Sequence, residues 1–409
     1  MKKLELLGLS VITAALIVST GCSSDDDDGD SKPSAPAEIS KGVELNTSVT
    51  RNAMALLGTS MDDMPDLSAA RLTPKLSILK VAKSSDSENT TGNFPCEVSG
   101  SVTVTRTSTS TGDEESYPEK SWSNEEQTTY TLNDCVDNYS GVNFAGDALN
   151  EVLMIGTVQF SEYEGYNSDT NRSKSSSSLS DHYSAIFQSS STKATITEII
   201  DYNESDEMEF DGPSNSVDIN ATTEYRVNGT YERYHTDTNG ARIAGIGERG
   251  VYGDYVSSAE RIVTSAKKST ATLYQNGFFS EYETNSTGEH VVYGKYFNNY
   301  RVETVKVGDE SNITMSGTVG GKCLGGSVTV AVNPVIQENP ILYPDLGPND
   351  PALPYAGKAT LTGSNTATVT FSVNSSDKTK TRATVQVDDG LSIPFENWSS
   401  LAKGECQDD

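Results

Sequence analysis

The feature that most constrains the fold is an alternation of apolar residues with serine and threonine at a period of two. It is clearest at residues 101–105, 327–332 and 368–373, where valine or phenylalanine occupies every second position. Such alternation places the apolar side chains on one face of a β-strand. We therefore expect an all-β fold that is mostly antiparallel: a meander, a sandwich or a partly open barrel, with a short helical N-terminal segment.

Turn signals and a repeated motif in the centre of the chain predict a long antiparallel meander. Asn239-Gly240 and Asn276-Gly277 each lie between apolar runs, which is the strongest local indication of a hairpin. The motif Val-x-Gly-x-Tyr occurs at residues 227–231, 251–255 and 292–296. A glycine inside a strand leaves room for a neighbouring aromatic ring.

The meander is also rich in tyrosine, and two interpretations of these residues stay open. They pack across strands, as aromatic residues in sheets usually do, or they form an exposed row that stacks on sugars or lines a groove. Burial distinguishes the two. The residues are Tyr225, Tyr231, Tyr255, Tyr274, Tyr282, Tyr293, Tyr296 and Tyr300.

Three polar or proline-rich stretches predict irregular structure. Residues 168–180 are dominated by serine and predict a loop. The acidic residues of 204–211 predict a solvated turn, with a calcium site as the sharper alternative. Residues 333–354 hold six of the fourteen prolines and predict an excursion over the surface.

Four cysteines follow the first thirty residues: Cys96, Cys135, Cys323 and Cys406. In an oxidising compartment an even number predicts two disulfides, and proximity favours Cys96–Cys135 and Cys323–Cys406 among the three connectivities. Cys96 and Cys323 each lead into Gly-Ser-Val-Thr-Val, at residues 100–104 and 326–330, which suggests two related modules. We expect one module at 86–160, the tyrosine-rich meander at 161–320 and the second module at 321–409.

The N-terminal segments have other compositions. Residues 41–85 contain apolar residues at spacings compatible with two short helices, the second limited by Pro74. Residues 22–40 are acidic and proline-containing and predict a flexible tether. Lys2 and Lys3 precede an apolar run from Leu6 to Val18, too short to span a bilayer, and small residues follow it. This pattern predicts a signal peptide at 1–21.

Small residues, Gly21 and then Cys22 directly follow the apolar run, and a polar tether comes next. In these residues the chain resembles a bacterial lipoprotein. The resemblance implies cleavage before Cys22, lipid attachment to its sulfur and, with Ser23 next, export to the outer membrane, facing the periplasm or the cell surface. A secreted protein with an incidental Cys22 is the alternative.

Charge and composition exclude several function classes. The chain has 30 basic and 58 acidic residues, which argues against nucleic-acid binding and against a basic membrane-docking face. No CxxC pair, CxxCH, phosphate loop, HExxH or GxSxG occurs, so we predict no cofactor, metal or catalytic residue. The histidines, His182, His235 and His290, are interpreted as surface residues.

We therefore expect a lipid-anchored envelope protein with a binding or structural role rather than an enzyme. Its partners would be the membrane, through Cys22, and an envelope protein or glycan. One alternative is a half-barrel carrier of an apolar ligand, which requires a large apolar cavity. The other is a polysaccharide hydrolase with two carboxylates facing each other across a cleft.

Overall fold

The structure is a computed structural model that describes residues 35–59, 89–110, 124–167, 172–211, 220–252, 256–263, 267–285, 288–338, 354–373, 381–395 and 401. Two helices, α1 (Ala37–Ser40) and α2 (Thr47–Thr59), precede the strands. Among the residues that are described, neither helix has the length and apolar character needed to cross a bilayer.

Eighteen strands follow within the described ranges, and most of those in the centre of the chain are long. The first nine are β1 (Asn89–Pro95), β2 (Ser99–Ser110), β3 (Asn124–Val142), β4 (Ala148–Asn167), β5 (Arg172–Gln188), β6 (Thr195–Asp211), β7 (Asn220–Thr236), β8 (Arg242–Tyr252) and β9 (Val256–Val263). The others are β10 (Lys268–Asn285), β11 (Gly288–Val307), β12 (Glu310–Gly321), β13 (Gly326–Val332), β14 (Ile336–Glu338), β15 (Pro354–Thr362), β16 (Thr366–Val373), β17 (Thr381–Val387) and β18 (Ile393–Phe395).

All of these strands belong to one antiparallel sheet that follows chain order. Strands β8 and β9 share the position between β7 and β10, and β13 and β14 share the position between β12 and β15. In the described residues β1 pairs with β2 and β18 pairs with β17, and no register joins these two end strands to each other. The all-β prediction is confirmed, in the form of a meander with a partly open sheet.

The alternating segments form strands as predicted. Val102 in β2, Val328 in β13 and Val369 in β16 are each no more than 1% exposed. The predicted turn at Asn239-Gly240 joins β7 to β8, and Gly240 has a φ of +82°, which favours glycine. Alternation and turn residues therefore predicted these elements because both are local properties of the chain.

Three local predictions are wrong. Residues 172–180 of the predicted serine-rich loop lie in β5, whereas 168–171 lie outside the described residues, and the acidic residues of 204–211 lie in β6 instead of a turn. Both runs are paired on two sides, β5 with β4 and β6, and β6 with β5 and β7. Neighbouring strands supply the backbone hydrogen bonds there, so the low β-propensity of the side chains does not decide the structure.

The third wrong prediction concerns Asn276-Gly277, which lies inside β10 and not at a hairpin turn. The pairing of β10 with β11 shifts between Gln275 and Gly277, and Gly277 has a φ of +133°. The glycine therefore serves a β-bulge, the other local structure that uses a residue of positive φ within a sheet.

The sheet has an inner face, which carries the main core, and an outer face. Helix α2 lies on the inner face: residues 52–57 are all buried, and its apolar side chains belong to the same core cluster as residues of strands from β2 to β17. The adjacent residues Phe279 and Phe278 of β10 point to opposite faces and are both buried. Phe279 belongs to the main core, whereas Phe278 belongs to a small cluster on the outer face.

Helix α1 covers that small outer cluster. Ile39 is completely buried and packs with Val251, Phe278 and Val291. Glu38 forms an ion pair with Lys322, and its Oε1 atom lies 3.8 Å from Nδ1 of His290. The structure thus includes Ala37–Ser40, which we predicted to be part of the flexible tether. That prediction relied on a composition dominated by serine, proline and aspartate, and such a composition does not reveal that one isoleucine is buried.

Residues 41–46, which we call the strap, carry the chain from the outer face to the inner face. The strap pairs with the end of β13 that extends past β15: Val43 N donates to Ser327 O at 3.0 Å, and Ser327 N donates to Lys41 O at 2.8 Å. The side chain of Asn365 then holds both backbone groups of Leu45, at 2.6 and 2.9 Å. The strap therefore occupies the position beside this end of β13 that a neighbouring strand would otherwise fill.

The disulfide Cys96–Cys135 is present and joins the β1–β2 turn to β3, with the Cα atoms 5.5 Å apart. Cys323 lies in the turn between β12 and β13, so the two similar sequences each place a cysteine directly before a strand. Cys406 lies outside the described residues, and Cys323–Cys406 therefore stays a prediction. The second predicted helix, within residues 66–83, and residues 339–353 of the proline-rich excursion also lie outside them.

Candidate functional site

Charged side chains form a row across the inner face of four neighbouring strands. Glu198 of β6 lies opposite Arg233 of β7, which lies opposite Glu248 of β8, and Glu248 lies opposite Glu281 of β10. With Tyr231 these residues form what we call the Glu198 cluster. Direct register pairs point to the same face, so the sheet alone brings together residues that are up to 83 positions apart in sequence, from 198 to 281.

Two carboxylates of the Glu198 cluster share one guanidinium group. Arg233 Nε lies 3.4 Å from Glu198 Oε1, and Arg233 Nη1 lies 3.5 Å from Glu248 Oε1. Tyr231 donates its hydroxyl hydrogen to Glu248 Oε2 at 3.0 Å. Glu198 is 1% exposed, which is unusual for glutamate and shows that the fold holds an ionisable group out of water.

Burial changes the acidity of this cluster. It raises the pKa of Glu198 to about 7, against the lowering effect of Arg233 and with a further raising effect of Glu248. Burial and then the charge of Glu248 raise the pKa of Tyr231 and that of Glu281 as well. Glu198 can therefore hold a proton near neutral pH inside the sheet.

His235 is also part of the inner face, so its prediction as a surface residue is wrong. It is 3% exposed, and the ring of Phe144 lies over it with centroids 4.2 Å apart. Burial, followed by the positive charge of Arg233, lowers the pKa of His235 to about 4. His235 lies two residues after Arg233 on β7, so both side chains point to the inner face. The position of His235 beside a predicted turn did not reveal this burial.

The outer face of β5 and β6 carries a different arrangement, which we call the Ser180 row. Ser180 Oγ lies 2.9 Å from Nε2 of His182, and Nδ1 of His182 lies 2.7 Å from Oδ1 of Asp201. The hydroxyl of Ser180 has one hydrogen, and it donates this hydrogen to Oδ1 of Asn203 at 2.5 Å. Serine, histidine and aspartate, with the serine near one ring nitrogen and the aspartate near the other, have the spatial order of a nucleophile with its base and orienting acid.

The Ser180 row follows from strand geometry. Ser180 and His182 are two residues apart on β5 and share a face, and the register places Asp201 opposite His182 and Asn203 opposite Ser180. The side chain of His182 is 48% exposed and that of Asp201 43%. His182 and His290, which is also 48% exposed, are surface residues as predicted.

The tyrosines of the meander pack into the sheet. Tyr231, Tyr282 and Tyr300 are buried, and Tyr225, Tyr274, Tyr293 and Tyr296 are half-buried, whereas Tyr255 lies outside the described residues. The two described glycines of the motif have no ring atom as their nearest neighbour: a Cβ at Gly229 would meet the backbone of Asp201, and a Cβ at Gly294 would meet the carbonyl oxygen of Phe279. Gly253 lies outside the described residues. A ring instead crosses Gly247, where an added Cβ would collide with Tyr282.

Potential metal ligands do not form a site in the part of the chain that the structure describes. The one group of three donors there is Cys96, Cys135 and Asp137, and its sulfurs are joined in the disulfide, so they offer no thiolate. The carboxylate of Asp237 accepts the backbone N–H groups of Asn239 and Ala241 at 2.8 and 3.0 Å, which makes it a turn-forming side chain.

Sequence patterns missed both arrangements, although one signal was available. In Ile196-x-Glu198-x-Ile200 the glutamate occupies a position that alternation assigns to the core, as does Arg233 between Tyr231 and His235. No comparable signal marks the Ser180 row, because Asp201 becomes a neighbour of His182 only when β6 pairs with β5. Cys22, the predicted lipid-attachment site, lies outside the described residues. Comparison with family models, curated proteins and solved structures returned no match.

Proposed function

We propose that this chain is an outer-membrane lipoprotein, anchored through Cys22, whose β-sheet body binds or supports another component of the bacterial envelope. The observation that carries this proposal beyond the N-terminal sequence is the position of α2. Its apolar residues occupy the inner face of the sheet and join the main core. The outer face is then the large surface that remains for a partner.

The position of α2 also distinguishes this role from that of a carrier for an apolar ligand. A carrier needs its inner face free, whereas Met54 and Leu56 of α2 are buried on it at 1% and 2% exposure. Lys295 and Glu198, which are charged and buried, lie on the same face. An apolar ligand would gain little by entering such a surface.

A hydrolase that uses paired carboxylates is not favoured either. Glu198 and Glu248 approach each other, and the pKa of Glu198 is raised to about 7 by burial, as such an acid requires. However, both carboxylates pair with Arg233, and Glu198 is almost inaccessible to a substrate. The Glu198 cluster is better explained as a buried polar network of the sheet.

The tether length sets how the body would sit relative to the membrane. Twelve residues, 23–34, separate Cys22 from the first described residue, Ala35, beside α1 on the outer face. A fully extended chain covers about 3.4 Å per residue, so the tether would hold the α1 side of the body within roughly 40 Å of the lipid. A partner of the outer face would therefore lie in or close to the membrane.

Membrane fractionation with radiolabelled palmitate tests the anchor. The wild-type chain should sediment with outer membranes and carry label, because several acyl chains hold a protein almost irreversibly. Cys22→Ala should be soluble and unlabelled, and Ser24→Ala should behave as the wild type.

Retention of Cys22→Ala in the membrane would contradict the lipid anchor. The purified soluble variant should also be extracted with organic solvent and its extract examined by mass spectrometry. A stoichiometric lipid in that extract would contradict the binding or structural role and favour the carrier.

A further inference from the structure

We propose that Ser180, His182 and Asp201 form a nucleophilic centre that hydrolyses acyl esters carried by a neutral, hydroxyl-rich molecule, an acylated glycan in chemical terms. The proposal does not depend on the lipid anchor. It rests on the distances between the three side chains, on the register that holds them and on the chemistry of the surface around them.

The hydrogen-bond order assigns a role to each residue. Nδ1 of His182 lies 2.7 Å from Oδ1 of Asp201, and a carboxylate there favours the tautomer that carries its proton on Nδ1 and directs the lone pair of Nε2 at Ser180. Ser180 Oγ lies 2.9 Å from that nitrogen, within the range for proton transfer to a general base. All three residues lie on strands paired on both sides, so their backbones are fixed before a substrate arrives.

Asn203 controls the direction of the single hydroxyl hydrogen of Ser180. Its Oδ1 accepts that hydrogen at 2.5 Å, while its Nδ2 lies 3.4 Å from Oδ1 of Asn228. A half-turn of the amide exchanges Oδ1 for Nδ2, which then donates to Ser180 Oγ. The hydroxyl hydrogen of Ser180 is then free to point at Nε2 of His182, and this is the orientation that the reaction requires.

The reaction needs water and no other co-reactant. Ser180 Oγ bonds to the ester carbonyl carbon while its proton passes to Nε2 of His182. The bond from that carbon to the alcohol oxygen then breaks, and this oxygen takes the proton from Nε2. Water adds to the acyl-serine in the same manner, His182 again accepting and returning the proton, so that a carboxylic acid leaves and Ser180 is restored.

The neighbouring residues indicate the substrate class. Register places short hydroxyl and amide side chains around the centre on the outer face: Thr157, Gln159, Ser178, Ser205, Asn228 and Thr230. These groups can hydrogen-bond a hydroxyl-rich molecule, whereas a net charge of −28 disfavours an anionic one. The strands β4 to β7 form a broad surface here, which suits an ester displayed on a large molecule.

The test uses the full-length chain, a fluorophosphonate probe and p-nitrophenyl acetate. Peptide mass spectrometry should find the probe on Ser180, and Ser180→Ala should abolish both the labelling and the esterase activity. His182→Ala should lower the hydrolysis rate by about 100-fold or more. Asp201→Asn should lower it by about 10-fold or more, because the ring proton then loses its acceptor.

Ser176→Ala is the matched control: Ser176 lies on the same strand and face, four residues before Ser180 and opposite Glu207, so its removal should leave labelling and rate unchanged. His182→Gln provides a second variant if His182→Ala does not fold, as judged by circular dichroism. Absence of label, label on another serine, or a rate that survives loss of the histidine would each overturn the proposal. Ser180→Ala should attach to membranes as the wild type does, so the outcome of the esterase test is independent of the outcome of the lipid-anchor test.

Discussion

At the scale of single residues, the inner face contains charges at positions that alternation assigns to apolar side chains. Glu198 lies between Ile196 and Ile200, which are 3% and 7% exposed. A carboxyl group tolerates such a position either by pairing with a cation or by taking up a proton, and Glu198 does both: it contacts Arg233, and burial raises its pKa to about 7.

This raised pKa predicts a specific dependence of stability on pH. In the unfolded chain the group has a pKa of about 4.5, so the proton that the folded state retains stabilises the fold at low pH. The stabilisation is complete below pH ~4.5 and is lost as the pH rises to about 7. The shift corresponds to roughly 3 kcal/mol in the free energy of unfolding.

Glu198→Gln cannot titrate and should therefore lack this loss. The difference in free energy of unfolding between variant and wild type, measured by urea denaturation at pH 5, 6, 7 and 8, should move in favour of the variant as the pH rises. Glu207→Gln, on the exposed side of the same strand, should follow the wild type. Parallel curves for Glu198→Gln and wild type would show that the carboxyl group is not buried as described.

At the scale of elements, α2 is an integral part of the core. Residues 52–57 are buried without interruption, which is more than one full turn, so this part of the helix is covered on all sides. The sheet strands from β2 to β17 provide that cover. The helix was predicted from its apolar spacing, but its position inside the sheet was not.

Leu56→Ala should therefore destabilise the whole body. Leu56 is 2% exposed, and truncation of a buried leucine costs about 2 to 5 kcal/mol. Ser48→Ala, at an exposed position of the same helix, should change the free energy of unfolding by less than about 0.5 kcal/mol. If the two variants were equally stable in chemical denaturation, α2 would not lie in the core.

The strap packs closely against Gly363, which has no room for a side chain. A Cβ at Gly363 would collide with the carbonyl oxygen of Val43, whereas a Cβ at Gly42 would meet nothing closer than 3.6 Å. Gly363→Ala should therefore displace the strap and speed hydrogen exchange at the Val43 amide, which donates to Ser327. Gly42→Ala is the matched control, and equal exchange in both variants would contradict this close packing.

At the scale of the whole molecule, the three predicted segments, 86–160, 161–320 and 321–409, contribute strands to one sheet, and residues from each belong to one core cluster. The Cys96–Cys135 disulfide, which closes a separation of 39 residues, lies inside that sheet. Its effect should therefore reach strands that are distant in sequence.

Replacement of both cysteines by alanine should lower the free energy of unfolding by about 4 kcal/mol, the chain-entropy value for a loop of this size. Because the core is shared, the loss should appear as a single shifted transition, with hydrogen exchange in β16 and β17 accelerated together with that in β2 and β3. Separate unfolding of residues 86–160, with β16 and β17 still protected, would show that the modules are independent.

The sequence by itself determined the properties that depend on near neighbours in the chain. The period-two alternation specified which faces of β2, β13 and β16 are buried, Asn239-Gly240 specified a hairpin, and the cysteines led to the Cys96–Cys135 pair. The tertiary structure alone decided which residues meet across strands, since register depends on the whole sheet. It placed Glu198 beside Arg233 and Asp201 beside His182, converted the serine run of β5 into a strand through pairing on both sides, and brought α1 and α2 to opposite faces.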